Sequence, residues 1–205
     1  MSVDVIDGLA GIAAGSALDA VRRQRMDART HAQVSFDALF TPVAAGGFSV
    51  RERHAVAAFV AGLHNQPDAA AFYGAALAQD DTAFYGAALA QDDTALAEAV
   101  RAEAGRGAAK GPFGAYPAGP HSGEDSAGPV HHADAKALGE KLAAGLDHAH
   151  MLLFHPRDAA PEWLQRLVDA GWDTPAIVTL SQLVAFLSFQ IRVVAGYRAM
   201  TATAP

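Results

Sequence analysis

The chain has 205 residues, a formal net charge of −7, 51% hydrophobic and 18% charged residues, and no cysteine. That length and apolar content suit one domain with a substantial core. The acidic balance argues against nucleic acid as the main partner, and the missing thiols exclude disulfides, thiolate metal sites and cysteine redox chemistry.

Residues 1–15 read as an irregular lead-in with no basic stretch ahead of an apolar run. No secretory signal is therefore expected, and cytoplasm is the expected compartment. Ser16-Ala-Leu-Asp19 has the form of a capping box and predicts a helix to about residue 28. Arg22, Arg23, Arg25 and Arg29 make a local basic cluster, read as a solvated helix face. A second helix is expected over 30–40, with Val34, Ala38 and Leu39 turned inward, ended by Thr41-Pro42 and a Gly46-Gly47 turn. Ser49-Val-Arg-Glu52 is a fuller capping box, and Val56, Phe59, Val60 and Leu63 follow at helical spacing until Pro67 forces a stop.

Ala71-Phe-Tyr-Gly-Ala-Ala-Leu-Ala-Gln-Asp-Asp-Thr82 recurs unchanged at 83–94. Two copies are too few for a solenoid. Twelve residues also rotate a helix face by about 120°, so Gln-Asp-Asp-Thr is expected to break the helix in each copy, or one copy to loop out. A helix from Ala95 to about Ala104 follows. The Pro- and Gly-rich stretch 105–132 then reads as a long functional or disordered loop, in which Phe113 and Tyr116 suit docking on a neighbouring surface.

Residues 135–154 predict one amphipathic helix with Leu138, Leu142, Leu146, Ala149 and Leu153 as its stripe. A short helix carrying Trp163, Leu164, Leu167 and Val168 ends at Gly171. From Thr174, capped by Asp173 or by Thr174 itself, a helix of about 20 residues, roughly 30 Å, carries apolar residues nearly all round. Thr179, Ser181, Gln182, Ser188 and Gln190 interrupt the run, so it reads as a central buried helix and part of a subunit interface, with no membrane partner expected. The whole chain, 1–205, thus reads as one all-α domain.

His148 and His150 are two apart and point to opposite sides of a helix, so they cannot share a metal. With His131 and His132 in the loop, the histidines read as surface or helix-end residues, and no metal or cofactor is expected. No Gly-rich phosphate loop and no Gly-x-Ser-x-Gly elbow is present.

Ser49-Val-Arg-Glu-Arg-His-Ala-Val-Ala-Ala-Phe-Val-Ala-Gly-Leu-His64 resembles the helix preceding the redox motif of AhpD-type alkylhydroperoxidases and carboxymuconolactone decarboxylase (CMD) domains. Segments 163–178 and 186–192 resemble the turn-and-helix and closing-helix segments of the same family, and 111–117 and 149–158 are similar to a Cys-less CMD branch. The resemblance spans roughly 30–200 outside the repeat, and it implies an AhpD-like helical bundle with the Pro/Gly-rich loop attached. In the peroxidase branch a Glu is followed after eleven residues by Cys-x-x-Cys and, after three more, by His. Counted from Glu52, those positions hold His64, Pro67 and Ala71. The peroxidase reaction needs an attacking thiolate and a resolving thiol, so it is not expected here.

Glu52 reads either as a general base, as the family's matching Glu implies, or as the capping-box residue bonded back to Ser49. His64 reads as an acid/base partner or as a helix-end imidazole, about 18 Å from Glu52 along one straight helix. Arg192 reads as a carboxylate ligand or a structural ion pair. With His150 these four would serve a non-redox acid/base enzyme for a small carbonyl, lactone or acid ligand. The other reading is a non-catalytic binding protein that pairs with itself as a homo-oligomer, or with a cysteine-bearing family member.

Overall fold

The structure, a computed structural model, describes residues 4–79 and 90–202. It is all-α: the described residues form ten α-helices and two single-turn 3₁₀ segments. In chain order the helices are α1 (Val5–Ala10), α2 (Ala17–Arg23), α3 (Met26–Phe40), α4 (Val50–Leu63), α5 (Pro67–Gln79), α6 (Ala90–Gly107), α7 (Ala135–Leu138), α8 (Glu140–Phe154), α9 (Pro161–Asp169) and α10 (Thr174–Ala202).

The lead-in is not irregular. Asp4 caps α1 through the amides of Ile6 and Asp7, and Gly11 ends it in the left-handed conformation. Ser16 caps α2 by accepting from the Asp19 amide, while the Asp19 side chain accepts from Gly15 instead of closing the box, and α2 stops at Arg23, with α3 beginning at Met26. Ala32, Leu39 and Phe40 face inward from α3, while Val34 and Ala38 are exposed. The arginine cluster is only half a solvated face: Arg23 and Arg25 are exposed, but Arg22 and Arg29 turn towards carboxylates. Arg22 is 4% exposed and pairs with Asp4 at 2.8 Å and Asp7 at 2.7 Å, and Arg29 pairs with Asp7 and Asp19. Three carboxylates from two helices and their cap thus neutralise arginines that the linear sequence shows only as a run of like charge.

The Ser49–Glu52 capping box is formed in full, and α4 proves the most enclosed helix. Ala55, Val56, Ala57, Phe59, Val60 and Ala61 have no exposed surface, and α3, α5, α6, α8 and α10 all pack against it. Small side chains allow this. A Cβ added to Gly62 would sit 2.6 Å from the Cβ of Ala104 on α6. Buried Arg53 donates to the carbonyls of Phe48, Leu39 and Ala45, which ties the end of α3 and the following turn to α4.

α10 shares the core through Leu180, Leu183, Leu187 and Ile191 but leaves Val178 and Phe189 about half exposed. Asp173 caps it by accepting from the Ala176 amide. By length and composition α10 is apolar enough to cross a membrane, with a mean hydropathy of 1.7. Here it packs against α1, α3, α4, α8 and α9. The second copy of the repeat does not break at Gln91–Thr94, which lies inside α6; the end of the first copy and the start of the second fall outside the described residues.

The expected helix over 135–154 is two. Gly139, at φ +78°, separates α7 from α8, a backbone angle that side-chain-bearing residues rarely adopt. The long loop crosses the end of the bundle as an ordered arm. Phe113 donates its amide to the Phe154 carbonyl at 2.6 Å, Gly114 and Ser126 pair as an isolated bridge, and Arg157 lies 4.2 Å over the Tyr116 ring.

Candidate functional site

The four residues singled out in the sequence do not form one site, though His64 and Arg192 lie within electrostatic reach of each other. Glu52 is held at the start of α4, where its Oε2 accepts from the Ser49 amide at 2.8 Å and its Oε1 pairs with Lys141 at 2.8 Å. Oε2 closes the capping box on Ser49 and Oε1 ties α4 to α8, so the capping reading of Glu52 is formed in full. His64 ends α4, one helix length away. Its pKa is lowered by burial and, secondarily, by the nearby Arg192 cation. Arg192 is exposed and donates to the Ser188 carbonyl of its own helix.

His150 belongs to a different group. His131, His148, His150 and His155 are all buried, where surface or helix-end positions are expected; of the four, His155 is the cap residue that ends α8. Three of them form a column where the arm crosses α6 and α8. The ring of His150 lies 5.2 Å from that of His131 and 6.0 Å from that of His155. Glu103 stands at one end, 3.2 Å from His131 Nε2, and Asp158 at the other, 2.9 Å from His155 Nδ1. No three His, Asp or Glu side chains among the described residues are placed to hold a metal ion.

His148, on the opposite side of α8, faces a separate cleft of about 500 Å³ between α7, α8 and α9. Ala133, Ala135, Ala143, Ala144 and Ala170 make its apolar lining, and Asp147, His148, Trp163 and Arg166 supply its main chemistry. His148 is 3% exposed. Its Nε2 lies 3.3 Å from Ser181 Oγ, whose own proton goes to the Ile177 carbonyl. With the hydrogen on Nε2, shared with Ser181, Nδ1 is left as a lone-pair acceptor, and it is enclosed without a hydrogen-bond partner. Burial pushes the His148 pKa down to about 4.

The neighbouring Asp147 is pushed the other way, up to about 6, chiefly by burial and against the pull of the Ala133 amide, which donates to its Oδ1 at 2.8 Å. The usual order of a carboxylic acid and an imidazole is thus inverted on one cleft: the carboxyl holds its proton more tightly than the imidazole does. Arg166 stacks 4.6 Å from the centre of the Trp163 ring at the rim. Sequence reading missed this pair because neither residue carries a local motif. The available signal was two polar residues set against the Leu142, Leu146 and Ala149 stripe.

A larger cleft of about 550 Å³ between α4, α5 and α6 is walled mainly by alanine and glycine, with Glu98 and Arg101 among its lining. No protein-family model, no curated protein and no solved structure matches the chain.

Proposed function

We propose that the protein is a non-redox acid/base enzyme, on a Cys-less AhpD/CMD-like scaffold, acting on a small carbonyl or lactone-type substrate in the cleft of α7, α8 and α9. The observation that carries this reading is that Asp147 and His148 both line one cleft, where burial raises the carboxyl to about 6 and lowers the imidazole to about 4. Pairs of titratable groups pushed apart by their surroundings mark acid and base roles.

In the reading, entry of the substrate uncovers His148 Nδ1, which is enclosed in the empty cleft, and Nδ1 then takes the proton from the carbon next to the substrate carbonyl. The C–H electron pair becomes the new C=C bond, the carbonyl π pair moves to oxygen, and protonated Asp147 delivers its proton there. The product is the enol, with His148 left as imidazolium and Asp147 as carboxylate. Return of the proton from His148 to the same carbon, with the enol O–H giving its proton back to Asp147, exchanges the α-hydrogen; in a β,γ-unsaturated carbonyl the same two transfers, with the carbon proton delivered to the γ-carbon, complete an isomerisation. Arg166, held flat on Trp163, offers a cation to an anionic substrate group.

Incubation in D₂O with a panel of small ketones and lactones tests this by proton NMR. Wild-type protein is expected to exchange the α-hydrogen of at least one member, and D147N and H148Q each to slow that exchange by about 100-fold or more. Exchange that survives both substitutions, or no exchange across the panel, overturns the reading.

The half-exposed Val178 and Phe189 on α10 favour a second proposal, that α10 also pairs with a copy of itself in a homo-oligomer.

A further inference from the structure

The chain carries the core-facing side of α5 twice. Tyr73 and Leu77 anchor that helix, and neither has exposed surface. The Tyr73 hydroxyl donates to Gln190 Oε1 on α10, and its ring lies 5.2 Å from that of Phe40 on α3. Tyr85 and Leu89 stand in the same Ala-Phe-Tyr-Gly-Ala-Ala-Leu-Ala-Gln frame, so 83–91 matches 71–79 at every position. Whatever side chains 71–79 bring to the core, 83–91 holds the same ones at the same spacing.

The connections on either side permit an exchange. Ala78, near the end of α5, and Thr94, near the start of α6, line the same cleft. With the second copy seated, Ala90 would stand where Ala78 stands, and 91–94 would have to reach α6 from there. Antiparallel helices are commonly joined by about 2–5 residues, so that link is long enough. The buried residues described in α6, Leu96, Val100, Glu103 and Ala104, all follow Thr94 and keep their places.

On the other side, the link from α4 grows from Asn65-Gln66 to about 65–81. Closing a longer loop costs entropy only as the logarithm of its length. Asp81 or Thr82 supplies a cap for the reseated helix. What is given up is the first turn of α5, with buried Ala69 and the Asp68–Arg198 ion pair at 2.6 Å. Those contacts lie outside the repeat and favour the first copy.

We propose that the two copies are interchangeable occupants of one place in the core, so that the chain can slip by twelve residues into a second folded register. In that register 83–91 forms the fifth helix, 65–81 forms the loop before it, and α6 begins at Ala95. Pro67 and Ala70 then leave the wall of the cleft between α4, α5 and α6, so the two registers offer a ligand different pockets.

Four full-length chains test the slip: wild type, L77D, L89D and L77D/L89D. An aspartate without a partner is costly at so buried a position, so each substitution disqualifies one copy. It also tells the two otherwise identical copies apart by mass. Circular-dichroism melting reads the stability, and hydrogen–deuterium exchange reads which copy is protected. L89D is expected to melt as the wild type does, with 71–79 protected. L77D is expected to melt cooperatively a few degrees lower, with the protection moved to 83–91. The double variant is expected to lose the cooperative transition, a loss far beyond the sum of the single effects. A double variant no worse than L77D, an L77D chain still protected at 71–79, or L89D as damaging as L77D would overturn the proposal.

Discussion

At the scale of single residues, burial accounts for most of the chemistry. His148 loses its hydration on entering the core and gains only Ser181, so its charged form is disfavoured; Asp147 loses hydration and keeps one backbone donor. The reacting state, neutral His148 beside protonated Asp147, is most populated between about pH 4 and about pH 6. A bell-shaped rate profile centred near pH 5 is therefore expected, its acid limb set by His148 and its alkaline limb by Asp147. A flat profile from pH 4 to 8 would contradict the assignment. Stability carries the opposite signs. The raised Asp147 destabilises the fold increasingly as pH climbs from 3.8 through about 6, and the lowered His148 does so as pH falls from 6.5 through about 4. D147N is accordingly expected to melt at a higher temperature than wild type at pH 7 while losing activity, which differential scanning calorimetry would show. A little of this was readable beforehand: spacing alone sends His148 and His150 to opposite sides of α8. Which side is a cleft and which a column depends on α9 and the arm, more than ten residues away or across the fold.

At the scale of elements, helix capping and side-chain size divide the outcome. The Ser16, Ser49 and Asp173 caps act within a few residues of themselves, and all three form as their sequences indicate. Choosing the central helix is another matter. The large apolar residues of α10 suggest the middle of the fold, yet alanine-rich α4 takes it, because short side chains let α5, α6 and α10 approach together. Gly62 marks the tightest of these approaches. A G62V substitution is expected to destabilise the protein by about 2 kcal/mol, since the new Cβ collides with Ala104 and both atoms sit on helix backbone with little room to yield. Urea denaturation measures this, and unchanged stability would mean that α4 and α6 can separate freely. The division of residues 135–154 at Gly139 has a similar origin. The apolar stripe continues across the break, but the backbone turns left-handed there, and periodicity carries no trace of a dihedral angle.

At the scale of the whole molecule, the exposed side of α10 bears on the quaternary state. Val178 and Phe189 stand about half exposed on a helix whose other faces are buried. F189E is expected to reduce the mass of any homo-oligomer to that of the monomer by light scattering on a sizing column, with the helical content retained. A wild-type protein already monomeric at high concentration would remove the basis for the proposed assembly. The sequence by itself determined the helical class, both ends of α4 and the starts of α2 and α10, the exclusion of thiol chemistry and the enclosure of much of α4 and α10. Those follow from local capping, periodicity and composition, which act within a turn or two of the chain. Only the tertiary structure decided that Glu52 is engaged by Lys141, that four histidines are buried, and that Asp147 and His148 share a cleft. Each of these depends on which distant surface covers a side chain and takes its water away, and that is settled by packing across the fold.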